Sequence, residues 1–317
     1  MIAPWEATLT AGQYMLIWYA LAVAGLALFA GFLRAAFTVR ETSPRYRTAS
    51  LARLGITAVA SLSYVLLIVG LLGGYRRTEA GWVPNADAVM AFAPRYAEWS
   101  ITVPLLAIEL LAVCTLLGTT ARRARAFAIA GAFLMIFCGY IGAFVIDEGT
   151  STIGLASWGA LSCAFWIATT VVLIRAVKSS LPFLTLEAAA LLRRAAILLL
   201  AGWIVFPVLY VLPFFGMNGT LATVMQVGFT LTDVTIKLGF ASLVHRIAKL
   251  RTAEDVRAGI EIHSESIWIS SVKKSDAGIP PEVYLESGSA VHEARRRPVS
   301  SYAVGTPAEP TPDHDLP

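Results

Sequence analysis

The chain has 317 residues, 57% hydrophobic and only 15% charged, with a mean hydropathy of +0.68. Soluble domains run at roughly 45–50% apolar and about 25% charged, so this composition excludes a soluble protein in favour of a polytopic membrane protein. The net charge of +4 and pI of about 9.0 do not argue for a nucleic-acid partner, because the basic residues sit at the ends of apolar runs.

A spanning helix needs about 20 mainly apolar residues. Seven segments qualify in chain order, at roughly 13–37, 50–74, 89–117, 126–146, 153–177, 188–213 and 220–248. The fold class expected is therefore all-α: a seven-transmembrane-helix bundle. Residues 1–12 read as an extracellular N-terminus, 13–250 as the bundle and 251–317 as a mostly disordered cytoplasmic tail. No Lys or Arg precedes the first apolar run, and that run is longer than a signal-peptide core, so it reads as a span. The tail holds Ser, Pro, Glu and Arg without period. It is too short and polar for an attached catalytic domain, and no enzyme activity is expected. Its "RRRPVSSY" stretch reads as a solvated segment, with anionic lipid, a partner or phosphorylation as alternatives. Cys114, Cys138 and Cys163 lie inside apolar runs without metal-like spacing, so no metal site is expected.

Loop charges set the expected orientation. Arg40, Arg45 and Arg47 follow the first span, and Arg122, Arg123 and Arg125 follow the third. Lys178, Arg193 and Arg194 flank the connection from the fifth to the sixth, and Arg246, Lys249 and Arg251 close the seventh. On the other side Arg76 and Arg77 are offset by Glu79 and Asp87, and Asp147-Glu148 is acidic. The positive-inside rule puts the N-terminus outside and the C-terminus inside.

Ionisable residues inside spans are costly, and each is a functional hypothesis. The third span carries "RYAEWSITVPLLAIE". Arg95, Glu98, Thr102 and Glu109 fall on one helical stripe. From Glu98 to Glu109 the stripe runs about 16 Å along the axis, the layout of a proton path. The seventh span carries "LTDVTIKLGF", with Asp233 and Lys237 four apart on one face. Both spans run in the same direction, so Glu98 and Asp233 lie at similar depth, just outward of Lys237. A buried cation with two carboxylates on one side fits a protonated Schiff base with a double counterion. The alternative is a structural Lys–Asp pair in a transporter. The sixth span carries "GWIVFPVLY", where Trp203, Phe206 and Tyr210 share a face around Pro207. With Trp99 they would box a flat polyene.

"RYAEWSITVPLL", "WIVFP" and "DVTIKLGF" together resemble the microbial (type I) rhodopsins of the bacteriorhodopsin and proteorhodopsin kind, across residues 13–250. The resemblance implies all-trans retinal bound covalently to Lys237 in the core of the bundle. It implies Glu98 as counterion and proton acceptor, Asp233 as second counterion, Arg95 below them, Thr102 beside Glu98 and Glu109 in the donor position. Trp99, Trp203, Phe206, Pro207 and Tyr210 would line the chromophore. Met135, Gly139 and Trp158 fit the ionone end, Tyr64 a tyrosine near Asp233, and Leu106 a position common in green-absorbing members.

Several residues depart from the family's pattern. Glu98 stands where outward pumps usually have Asp. Phe206 replaces a common Tyr, removing one hydrogen bond to Asp233. "PFFGMNGT" before the seventh span has no carboxylate for a fast release pair. Arg53, on the second span near the level of Glu109, also resembles the cryorhodopsins, a slow group. Either it partners Glu109, or it snorkels to the surface. The resemblance implies a multi-pass protein of a prokaryotic plasma membrane, with lipid contacts, a homo-oligomer (trimer or pentamer) and a cytoplasmic signalling partner in the sensor case. The expected function is a photoreceptor with proton transfer to Glu98 and a slow photocycle, acting as photosensor, photoswitch or weak outward proton pump. The alternatives are an efficient outward pump and a non-retinal transporter.

Overall fold

The computed structural model describes residues 2–257, together with four two-residue strands at Trp268–Ile269, Val272–Lys273, Val283–Tyr284 and Ala290–Val291. The chain divides into two units, Met1–Lys249 and Leu250–Pro317. In the first, α1 (Ala11–Thr38), α2 (Arg47–Gly74), α3 (Ala93–Ala112), α4 (Gly118–Tyr140), α5 (Thr152–Ser180) and α6 (Leu186–Tyr210) make six spans. The seventh is α7 (Gly219–Val234), continued through a π-helical segment (Thr235–Phe240) into α8 (Ala241–Arg257). Consecutive helices pack side by side, and α1 meets α7 to close the ring.

Helix starts follow local chemistry. Thr10 caps α1 by accepting from Gln13 N, and the Gln13 side chain bonds back to Thr10 N. Ser151, Thr185 and Asn218 cap α5, α6 and α7 with their side-chain oxygens. Pro104 and Pro207 sit inside α3 and α6, each removing one backbone donor. Between α2 and α3 runs an antiparallel hairpin, β1 (Tyr75–Thr78) and β2 (Gly81–Pro84). Leu9 and Trp82 exchange backbone hydrogen bonds of 2.9 and 2.8 Å, and Tyr14 stacks on Trp82 at 3.7 Å, so the N-terminal segment is strapped to this hairpin. Gly70 admits the close approach of the turn before α3, since a Cβ there would collide with Met90 O.

The interior is polar and the exterior apolar. Leu26, Leu62, Ile153 and Leu231 stand exposed on the outer faces, where lipid rather than water is the solvent. Arg95, Glu98, Thr102, Glu109, Asp233 and Lys237 are buried inside. Among the described residues, six helices are long and apolar enough to cross a membrane. The one left out is α3, because every 18-residue stretch of it contains Arg95, Glu98 and Glu109. Those three side chains point inward, so α3 is a span despite them.

The helix limits correct the sequence expectations at three places. The third span ends at Ala112 rather than near residue 117, and the fourth begins at Gly118 rather than near 126. Arg122, Arg123 and Arg125 thus belong to the first turns of α4, where long basic side chains reach outward from a helix. The last helix runs to Arg257, past the expected limit of 250. Beyond it the tail expectation concerns 258–317, which apart from the four short strands lies outside the described residues.

Candidate functional site

Two helices bring the central charges together. The π-helical segment of the seventh span holds Lys237, and such wide turns recur at functional sites. Its Nζ lies 2.8 Å from Glu98 Oε2 on α3 and 2.7 Å from Asp233 Oδ2, one turn back. All three side chains are buried. Thr102, four residues after Glu98, donates its hydroxyl to Glu98 Oε1. Tyr64 OH donates to Asp233 Oδ2 at 3.3 Å, and Trp99 Nε1 donates to Asp233 Oδ1 at 3.1 Å. Asp233 thus accepts from α2 and α3, and not from α6, where Phe206 has no donor. Phe206 instead sits edge-on to Trp99, ring centres 4.8 Å apart.

Arg95 completes the charge balance. Its Nη2 donates to Thr230 Oγ1 at 2.7 Å and Gln226 Oε1 at 3.0 Å, its Nε to Gln226 Oε1 at 3.3 Å, and its Nη1 to Tyr64 OH at 3.3 Å. Gln226 Nε2 in turn donates to Ala91 O at 2.7 Å. Lys237 is thus paired with Glu98 and Asp233, and Arg95 is linked to Asp233 through the Tyr64 hydroxyl. A buried charge set persists only when paired and hydrogen-bonded in this way. Gln226 and Thr230 were not anticipated, although they fall at helical spacing before Asp233 and so on its face.

Beside this network lies a cavity lined largely by aromatic side chains. Of the expected liners, Trp99, Met135, Gly139, Trp203, Phe206, Pro207 and Tyr210 face it. Leu106, Tyr64, Trp158 and Lys237 do not. Tyr64 and Lys237 belong to the charge network, and the Trp158 backbone end packs beside Gly142. From α5 it is Gly159, Ser162, Cys163 and Trp166 that line the cavity. One residue along a helix is a rotation of about 100°, so neighbouring Gly159 takes the inward place instead of Trp158. Gly159 also makes room, since a Cβ there would lie 2.7 Å from the Tyr210 ring. The lining is almost wholly apolar and aromatic, suited to a flat hydrocarbon, and Trp99 joins it to Asp233, one of the two carboxylates that hold the buried Lys237 amine. These residues fit retinal on a lysine.

At the other end of the stripe, Glu109 is buried and its Oε2 has no partner. Arg53 shares a narrow cleft with it but makes no hydrogen bond or ion pair to it; its Nη2 donates to Thr38 Oγ1 at 2.6 Å. Arg53 is buried, at 6% exposure, and does not reach the surface.

The comparisons with known proteins agree with this arrangement. The family described as "Bacteriorhodopsin-like protein" matches residues 13–250. A bacteriorhodopsin from Haloterrigena sp. (strain arg-4) is 28% identical over 190 residues, covering 60% of this chain and 70% of that protein. Sensory rhodopsin-2 from Natronomonas pharaonis is 31% identical over 81 residues, 26% of this chain and 30% of its own. The crystal structure of xanthorhodopsin, a light-driven ion pump with dual chromophore, superposes with a TM-score of 0.71 at 28% identity, over 79% of this chain and 98% of that one. A seven-helix ring, a buried lysine between two carboxylates and a match across the whole bundle give one conclusion: this multi-pass membrane protein belongs to the bacteriorhodopsin-like family, the light-driven retinal proteins known as microbial type I rhodopsins.

Proposed function

We propose that the chain is a slow photoswitch: a photosensor, or at most a weak outward proton pump, that carries all-trans retinal on Lys237. The basic end of the bundle faces the cytoplasm in this reading, by the positive-inside rule. Retinal, when bound, supplies light absorption and a change of shape about its terminal double bond. The Lys237 nitrogen holds a proton in the dark, balanced by Glu98 and Asp233. Glu98 is the acceptor, because its Oε2 faces that nitrogen while Thr102 steadies Oε1. Asp233 already accepts from Tyr64 and Trp99. Glu109, deeper on the stripe, is the internal donor that restores the proton.

The observation that carries the slow reading is Arg53, a buried cation in the same cleft as Glu109. Neighbouring positive charge opposes delivery of another proton into that cleft, and slow recovery gives a long-lived state that a partner can read. The test is time-resolved absorption of the parent protein and Arg53→Thr, with light-induced pH change recorded in cells. Recovery over seconds in the parent, at least about tenfold faster in the variant, is expected. Unchanged recovery in Arg53→Thr, or robust acidification abolished by a protonophore, would overturn the slow reading.

One observation favours an efficient outward pump instead. Arg53 is held by Thr38 and makes no ion pair with Glu109, leaving the carboxyl without a charged partner in contact. The same acidification measurement separates the two.

A further inference from the structure

A second buried polar cluster lies outside the counterion network, at the basic end of the bundle. Arg53 of α2, Glu109 of α3 and His245 of α8 line one cleft, too tight to admit a water molecule. They are 6%, 1% and 7% exposed. Each leaves a polar atom without a hydrogen-bond partner: Arg53 Nε, Glu109 Oε2 and His245 Nδ1. Buried polar atoms normally find partners. Three unsatisfied ones around one cleft mark a place where hydrogen bonds are completed in another state of the protein.

His245 connects this cleft to the surface. Its Nε2 lies 3.0 Å from Glu41 Oε2, and Lys249 Nζ lies 3.3 Å from the same oxygen. The Glu41 side chain is 17% exposed. The charged and titratable groups around the ring are therefore Glu41 after α1, Lys249 on its own helix, Arg53 on α2 and Glu109 on α3. An imidazole with one nitrogen on a surface carboxylate, and its other in a cleft with a buried carboxyl, takes a proton on one side and gives one on the other.

The geometry points to His245 as the relay that returns a proton from the basic surface to Glu109. This rests on the reading of Glu109 as internal donor. His245 takes a proton on Nε2 from water at the basic surface, the Glu41 carboxylate beside it balancing the charge, and gives its Nδ1 proton to the Glu109 carboxylate. The ring is left neutral with its proton on Nε2, donating to the Glu41 carboxylate, and exchanges tautomers before the next turnover. Transfer waits on opening of the cleft, which couples proton uptake to movement of the helices around Arg53.

The test is flash photolysis of the full chain, reconstituted with retinal in lipid vesicles, comparing His245→Gln with the parent. Glutamine keeps a hydrogen bond to Glu41 but cannot pass a proton through. Recovery of the dark state should slow at least about tenfold at neutral pH, and added imidazole should restore it. The visible absorption band checks that the variant is folded. Glu41→Gln, which keeps His245 itself, should slow recovery in the same sense and serves if His245→Gln fails to fold. If His245→Gln recovers like the parent while Glu109→Gln is slow, the relay is overturned and the donor reading stands. If Glu109→Gln also recovers like the parent, the donor reading falls and the relay with it. Slowing that imidazole does not relieve would make His245 a structural residue and likewise overturn the relay.

Discussion

Two buried arginines, one at each end of the α3 stripe, sit in opposite kinds of surroundings. Arg95 donates to Gln226, Thr230 and Tyr64 and lies over the Tyr64 ring, 5.3 Å from its centre. Arg53 has Thr38 as hydrogen-bond partner, leaves Nε unsatisfied and shares its cleft with an unpartnered carboxyl oxygen. A fully satisfied buried network holds one arrangement, whereas a partly satisfied one has hydrogen bonds still to gain by moving. The hairpin end is therefore held in one arrangement, while the basic end has hydrogen bonds still to gain.

Removing the Lys237 amine has the largest effect. Lys237→Ala should abolish covalent colour formation with added all-trans retinal, read directly as loss of the visible band. It also leaves Glu98 and Asp233 facing each other with Arg95 as the nearby cation. A covalently coloured Lys237→Ala protein would remove the basis for both ends of the comparison.

A matched pair of substitutions sharpens the contrast. Arg95→Gln removes a buried cation together with its hydrogen bonds to Gln226, Thr230 and Tyr64, and a hydrogen bond to a charged group is worth about 1.5–3 kcal/mol. The loss should appear in thermal bleaching of the reconstituted protein. Arg53→Gln removes one side-chain hydrogen bond and relieves an unsatisfied Nε, so its stability cost should stay below about 1.5 kcal/mol. Its effect belongs to recovery kinetics. Equal thermal costs for the two variants would erase the distinction between a satisfied and a poised end.

Much of this was legible in the sequence because charges in apolar spans stand out. Arg95, Glu98, Thr102 and Glu109 lie on one stripe, and Asp233 and Lys237 one turn apart, by helical arithmetic alone. The structure brings Glu98, Asp233 and Lys237 within hydrogen-bond distance. Apolar runs mark lipid contact rather than helix limits, which is why the start of α4, with its three arginines, read as a loop. The hairpin of Tyr75–Pro84 and the wide turn at Lys237 depend on tertiary contacts and left no periodic trace. Trp158 was misplaced by one residue, because aromatic size drew attention when the inward position on α5 belongs to Gly159. Gln226, Thr230 and His245 were readable in principle, as polar groups on the face of the seventh span that carries Lys237. They were missed because uncharged or half-charged side chains in a span raise less alarm than full charges.

The smallest expected effect tests how tightly the satisfied end is shared. Tyr64 OH accepts from Arg95 Nη1 and donates to Asp233 Oδ2, both at 3.3 Å, the long end of hydrogen-bond range. Tyr64→Phe keeps the ring under Arg95 and removes the bridge. Arg95 retains Gln226 and Thr230, and Asp233 retains Trp99 and Lys237, so neither charge is left alone. The cost in thermal bleaching should be about 1 kcal/mol. A thermal loss as large as that of Arg95→Gln would mean that the hairpin end is a chain of single links through Tyr64 instead of a redundant network.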